Sequence, residues 1–292
     1  MTTEAQSIIE FKQRASSDYG KQCRLPRRSL RLSEILDAPV HDFPIRDEIL
    51  HQYTPPLQGL KILEVGPGSG FTAYSLLPHI DHLTLVDFTE TTLTDLRQKL
   101  GSDRKARFIQ ADICQPGLLA RVGETYDFVF GLDMFECVPD GARGLENLAA
   151  VTSSGGVMFL TFPNFPPPRG QGLTWYTHRR DLEVSLARAG FQRWEISCVW
   201  LRPYANTVFR MMHEWPLNLY RRLRKKNKTE QPQTYESTWA FQNRDSLQRM
   251  KPFLHLYWTV LGALLRLGGT PFLAEPAPEE LRWRQLVVIA WR

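Results

Sequence analysis

The stretch that constrains this chain most is Lys61–Phe71, KILEVGPGSGF. A β-rich apolar run carries an acid, Glu64, near its end, and three alternate glycines, Gly66, Gly68 and Gly70, lead into an expected helix over 72–77. Glycine lets a strand turn sharply into a helix. With no Cβ in the way, a ligand can also lie directly against backbone N–H groups there. A dinucleotide fingerprint places its third glycine five residues after the first. That position is Phe71, which argues against a dinucleotide site.

The acids that follow sharpen the reading. Leu83–Asp87 reads as a second strand, and its terminal acid falls 21 residues after Gly66. A carboxylate so placed can accept hydrogen bonds from both hydroxyls of a nucleoside ribose. A third strand, Ala106–Gln110, runs into Ala111, Asp112 and Ile113. A fourth, Asp127–Phe130, runs into Gly131, Leu132, Asp133, Met134, Phe135, Glu136, Cys137, Val138, Pro139 and Asp140. Any one of these acids alone is an ordinary solvated strand end. Ordered motifs in matching structural context carry more weight.

In that order the motifs resemble class I S-adenosylmethionine-dependent methyltransferases of the small-molecule type. The resemblance covers about 59–204 and the last strand, and it is specific for the cofactor, not for the acceptor. It implies an α/β fold: a Rossmann-like, doubly wound, seven-stranded and mostly parallel sheet with an antiparallel last strand. S-adenosylmethionine is the implied cofactor. Gly66, Pro67, Gly68 and Gly70, behind Glu64, are expected around its methionine part, and Asp87 with its neighbour Phe88 at the ribose. Asp112 and Ile113 are expected at the adenine. Leu132, Asp133, Met134 and Phe135 are expected to line the floor between cofactor and acceptor. Cys137 stands where the family commonly has a histidine, so a general base from that segment is not expected.

Bulk properties narrow the surroundings. With 292 residues the chain can bury one large core plus an elaboration. Its net charge of +5 does not by itself call for nucleic acid, which is not expected as a partner. The four cysteines, 23, 114, 137 and 198, have no paired short spacing, so neither a disulfide framework nor a metal site is expected. No secretory leader is visible, and the cytoplasm is the expected compartment. The longest apolar run, Leu256–Leu265, spans ten residues, about half of a bilayer. A buried helix fits it better than a transmembrane segment. Oligomeric state is not legible.

The organisation follows from patterning. Residues 1–58 read as an N-terminal helical cap, with helical stretches at 7–15, 32–36 and 46–53. Residues 59–202 read as the core, with helices ending near Leu100 and Val151 and the second capped by Thr89. Ser153-Ser154-Gly155-Gly156 is expected to break the chain before a strand at 157–161. A Pro- and Gly-rich loop, 162–172, then leads to a helix capped by Thr177 and ending at Gly190, and to a strand at 194–200.

The last strand is expected at 285–291, within a final core segment 285–292. This leaves 203–284 as an insertion between strands six and seven. Strand six ends at the carboxyl edge of the sheet and an antiparallel strand seven starts there, so the insertion should rise beside the ligand site. It reads as a helical lid, rich in aromatic residues and methionine, which suits a small, hydrophobic or planar acceptor. The basic run Arg221–Lys228 is expected to be solvated, with peripheral contact to acidic lipid or RNA left open. His178, and second to it His213-Glu214, are the candidate bases for a hydroxyl or acidic-carbon acceptor. Two other readings stay open: an RNA or protein methyltransferase, and a non-catalytic binding partner that keeps the fold.

Overall fold

One eight-stranded sheet with order β3-β2-β1-β4-β5-β8-β6-β7 organises the computed structural model. It describes residues 57–68, 70–100, 105–135, 138–164, 174–216, 219, 251–269 and 271–292. Residues 1–56 of the expected N-terminal cap, Glu136, Cys137, most of the Pro-rich loop and the basic run 221–228 lie outside the described residues.

The strands are β1 (Lys61–Val65), β2 (His82–Asp87), β3 (Ala106–Gln110), β4 (Tyr126–Leu132), β5 (Thr152–Phe162), β6 (Arg193–Leu201), β7 (Phe272–Pro276) and β8 (Gln285–Trp291). β1 pairs in parallel with β2 and β4, β2 with β3, and β4 with β5. β8 runs antiparallel between β5 and β6, which leaves β6 parallel to the first five. The central strands are nearly continuous apolar runs because both faces of a parallel sheet are covered.

Successive residues of a strand point to opposite faces, and the core divides accordingly. Ile62, Leu83, Leu85, Phe128 and Phe130 pack on one face under α1 (Phe71–Leu76) and α2 (Glu90–Leu100). Leu63, Val65, Val86 and Val129 pack on the other under α3 (Leu118–Val122), α4 (Gly141–Val151) and α5 (Arg179–Ala189). Truncating a side chain as buried as Phe130 in such a core costs about 3–5 kcal/mol.

Four local expectations need correction. The sheet has eight strands, not seven, because β7 lies within 203–284 and pairs antiparallel with β6. The described insertion is therefore helical and stranded: α6 (Pro203–Phe209), its π-helical continuation Arg210–Glu214, α7 (Lys251–Arg266), then β7. Ser153–Gly156 does not break β5. Gly155, in the left-handed region at φ 77°, donates to the Arg292 carbonyl at 2.6 Å and keeps the bulged stretch attached to the sheet. Thr177 does not cap α5 either; the capping position is His178, and no side-chain cap bond forms there.

Candidate active site

The carboxyl rim of the sheet is stitched together by backbone hydrogen bonds between neighbouring strand ends. Gly66 N donates to Val86 O at 2.9 Å, Ala111 N to Asp87 O at 3.0 Å, and Asp133 N to Thr161 O at 2.8 Å. These bonds place the turns that follow β1, β2, β3 and β4 side by side. Of the sequence-predicted cofactor residues, Glu64, Asp87 and Leu132 lie at or near the ends of β1, β2 and β4 and the others on the turns that follow, so the fold brings them toward one rim.

The glycine turn is built from left-handed backbone. Gly66, Gly68 and Gly70 have φ of 64°, 52° and 77°, a region that costs other L-residues about 1–2 kcal/mol. The glycines differ in what surrounds them. A Cβ on Gly66 would lie 2.8 Å from Met134 Cβ, and one on Gly70 would overlap Leu96 Cδ2. A Cβ on Gly68 would meet nothing within 4 Å, so the crest of the turn faces open space. That cradle fits a ligand seated on bare backbone. Pro67 is buried beneath it, and its carbonyl accepts from Gly70 N at 2.9 Å. Glu64, in the strand below, is 2% exposed, and among the described residues it is the one acidic side chain in the buried class.

Asp87 ends β2 half-buried, and its Oδ1 accepts from Thr89 N at 2.8 Å. Burial pushes its carboxyl above the ordinary aspartate value, and hydrogen bonds from the Thr89 amide and hydroxyl partly offset the rise. Thr89 thus spends its hydroxyl on Asp87. Phe88 beside it is 72% exposed, with its carbonyl held by Gln110 Nε2 at 3.1 Å. An aromatic ring so open beside a half-buried carboxylate is free to lie against a ligand. Asp112 is exposed and turns one oxygen back to Cys114 N at 2.8 Å. Ile113 is buried in the core under α4, and its carbonyl is held by Asn147 Nδ2 at 2.7 Å.

After β4 the rim becomes more constrained. Asp133 sits at φ 45°, and its Oδ1 accepts from Thr161 Oγ1 at 2.9 Å and from Gln285 Nε2 at 3.1 Å. The carboxylate is thereby tied to β5 and β8. Met134 fills the space over Gly66 and Gly131, where an added Cβ would fit tightly, 3.1 Å from Met134 Cγ and 3.2 Å from Val65 O. Leu132 and Phe135 are buried, and the Phe135 ring lies 6.1 Å from that of Phe162.

Residues 63–160 match a family model described as a methyltransferase domain. The match places a methyltransferase domain within the core of this chain. The chain is 31% identical over 163 residues to the chloroplastic 2-methyl-6-phytyl-1,4-hydroquinone methyltransferase 1 of Oryza sativa subsp. japonica, covering 50% of this chain and 48% of that protein. It is 28% identical to the ubiquinone biosynthesis O-methyltransferase of Leptothrix cholodnii, covering 44% and 55%. The chain thus spans about half the length of these two relatives. Among solved structures, phosphoethanolamine N-methyltransferase 2 of Haemonchus contortus, bound to phosphomonomethylethanolamine and S-adenosylhomocysteine, superposes with a TM-score of 0.51 at 14% identity. The match covers 85% of this chain and 52% of that one, a likeness of fold.

His178 lies on none of the turns after β1 to β4. It is exposed at the start of α5, and its backbone bridges to Glu280 ahead of β8. A residue that the sequence did not single out holds this side together. Asn164 is 2% exposed at φ 45°, and its Nδ2 donates to Tyr176 O at 2.9 Å and to Leu281 O at 2.6 Å. Its Oδ1 accepts from Tyr176 N at 3.3 Å. One amide thus clamps the segments after β5, before α5 and before β8. The available signal was an asparagine just past a strand, a residue that tolerates the left-handed region.

Proposed function

We propose that this chain is an S-adenosylmethionine-dependent methyltransferase acting on a small acceptor, hydrophobic or aromatic. The observation that carries the proposal is the glycine cradle, open above Gly68 and flanked by the half-buried Asp87. When bound, S-adenosylmethionine supplies a methyl group already activated by a positive sulfur. The protein's task is then alignment, with reacting atoms held about 3–3.5 Å apart and in line. The amides around Gly66–Gly70 hold the amino-acid end and Asp87 the ribose, with Phe88 against it. Asp112 and Ile113 bound the adenine. Leu132, Met134 and Phe135, with the pinned Asp133, form a floor that excludes water.

The relatives favour an oxygenated ring as acceptor, since one is named a hydroquinone methyltransferase and another an O-methyltransferase of ubiquinone biosynthesis. His178 is the proposed group on the acceptor side that takes a proton from a hydroxyl. Calorimetry of the full chain with S-adenosylmethionine tests the cofactor, and saturable one-to-one binding is expected. A methyl-transfer screen over phenols, hydroquinones and isoprenoid rings, with RNA as control, tests the acceptor. Replacing His178 with Ala should lower kcat about a hundredfold without changing cofactor affinity. Absence of cofactor binding by the folded protein would end the proposal, whereas an unchanged kcat would remove only the base.

A further inference from the structure

Left-handed backbone occurs on both sides of the carboxyl rim, but with different residues. After β1 it falls on Gly66, Gly68 and Gly70, the residue type that this region favours. On the other side it falls on residues that carry side chains. Among the described residues three that are not glycine have positive φ: Asp133 at 45°, Asn164 at 45° and Trp283 at 61°. All three lie where the chain leaves or enters the rim, after β4, after β5 and before β8. For a residue as bulky as tryptophan this backbone is an outlier, and such outliers gather at active sites and ligand clamps.

The residues around Trp283 impose its conformation from both directions. Before it, Leu281 N donates to Thr177 O at 3.0 Å, and Leu281 O accepts from Asn164 Nδ2 at 2.6 Å and from Arg284 N at 3.2 Å, which closes the bend. After it, the Arg284 guanidinium lies 4.5 Å from the centre of the Trp200 ring, and Gln285 Nε2 donates to Asp133 Oδ1 at 3.1 Å. The bend is thereby tied to the turns after β4 and β5. Burial of the indole does not offset the strain, since Trp283 is 63% exposed. Asp133 and Asn164 use their side chains as hydrogen-bond anchors. At 283 glycine would suit the backbone better, and only the ring would be lost.

We infer that Trp283 determines acceptor specificity, its indole packing against a planar, oxygenated aromatic ring. This rests on the methyltransferase reading above and names the side chain that selects the acceptor. In the sheet order β1 and β2 flank β4 on one side, and β8 lies two strands away on the other, about 10 Å from β4. The Asp133 turn therefore stands between the glycine turn and the Trp283 bend, and the distance from that turn to the bend is that of a small ring system. Aromatic rings pack offset-stacked or edge-to-face with centroids about 4.5–7 Å apart. A saturated ring of the same size gains contact area without that geometry.

Calorimetry of the full chain loaded with S-adenosylhomocysteine provides the test, with 2-naphthol as the planar probe and its saturated analogue decahydro-2-naphthol as the control. The parent should bind 2-naphthol several-fold more tightly than the control. W283G should bind 2-naphthol about tenfold more weakly and lose the preference, whereas W283F should stay within about threefold of the parent. The affinity of W283G for S-adenosylhomocysteine should be unchanged. Its melting temperature should be no lower than the parent's, because glycine accepts the left-handed backbone. If W283G does not fold, W283N replaces it, since asparagine also tolerates that region. Parent-like 2-naphthol binding by the folded variant, an equal loss of S-adenosylhomocysteine affinity, or a lowered melting temperature would overturn the inference. So would absence of 2-naphthol binding to a chain that binds S-adenosylhomocysteine, which leaves the methyltransferase reading standing. Failure to bind S-adenosylhomocysteine would end both.

Discussion

The two ends of the carboxyl rim are held by different chemistry. After β1 the turn is built from glycines in left-handed conformations, and after β2 and β3 the turns are held by backbone bonds together with short-range side-chain bonds such as Asp87 to Thr89 N and Asp112 to Cys114 N. Around β5, β6 and β8 the segments are held by side chains reaching distant backbone: Asn164, which donates to Leu281 O at 2.6 Å, and Arg179, whose guanidinium donates to Ala277 O at 2.8 Å. The first arrangement tolerates most side chains but no added Cβ at a few positions. The second tolerates changes of backbone path but depends on a few polar groups. The difference suits the division of labour, since a cofactor is constant while an acceptor varies between enzymes.

The sharpest way to break this contrast is to add one methyl group. Gly66→Ala forces a left-handed alanine against Met134 Cβ and should cost about 2–5 kcal/mol of stability, with cofactor binding lost in calorimetry. Normal binding by that variant would mean that the cradle does not contact the ligand. On the other side, Asn164→Ala removes three buried hydrogen bonds and should cost about 2–3 kcal/mol in chemical denaturation. Because Asn164 lies outside the cradle, cofactor affinity should change much less than turnover. Equal losses in both would erase the distinction.

Asp87→Asn separates binding from folding at a single residue. It should weaken cofactor binding by about 1–3 kcal/mol. Burial raises this carboxyl in the folded protein, so the native state holds its proton more tightly than the unfolded chain does. The group's contribution to stability is therefore present below the unfolded value and lost as pH rises through the raised folded value. At neutral pH the Asn variant should melt no lower than the parent. Ligand binding runs the opposite way, because the ribose needs the ionised form. Affinity should fall as pH drops through the raised value, and that fall should vanish in Asp87→Asn. The smallest effect is expected from Phe88→Ala, a few-fold loss of affinity and under about 1 kcal/mol of stability, since the ring is open to solvent.

The same contrast governs what could be read before the fold was known. β3, α4 and β8 appear with the bounds their apolar patterns imply, and the rim acids fall in sequence register with the glycines. Local backbone chemistry suffices there. β7 escaped notice because Phe272-Leu273-Ala274-Glu275-Pro276 is short, ends in proline and buries only Phe272, as an outermost strand does. Asn164 escaped because its partners lie 12 and 117 residues away, so no window of sequence contains them. Ser153–Gly156 reads as a turn from composition, and bonds to distant residues hold it to the sheet: Gly155 N to Arg292 O, Arg292 N to Gly156 O and Ser153 Oγ to Asp127 Oδ1.

The β6–β7 pairing also bears on how such a chain can change over time. The insertion leaves and re-enters the sheet through adjacent feet: Leu201 pairs with Phe272, and Arg202 N donates to Pro271 O at 2.8 Å. Loop-closure entropy grows only slowly with length, each doubling adding about 0.6 kcal/mol. Everything between those feet can therefore be lengthened, shortened or exchanged as a cassette while β6 and β8 stay in register. Under the proposed function, new acceptor chemistry would be grafted there without redesigning the half assigned to the cofactor.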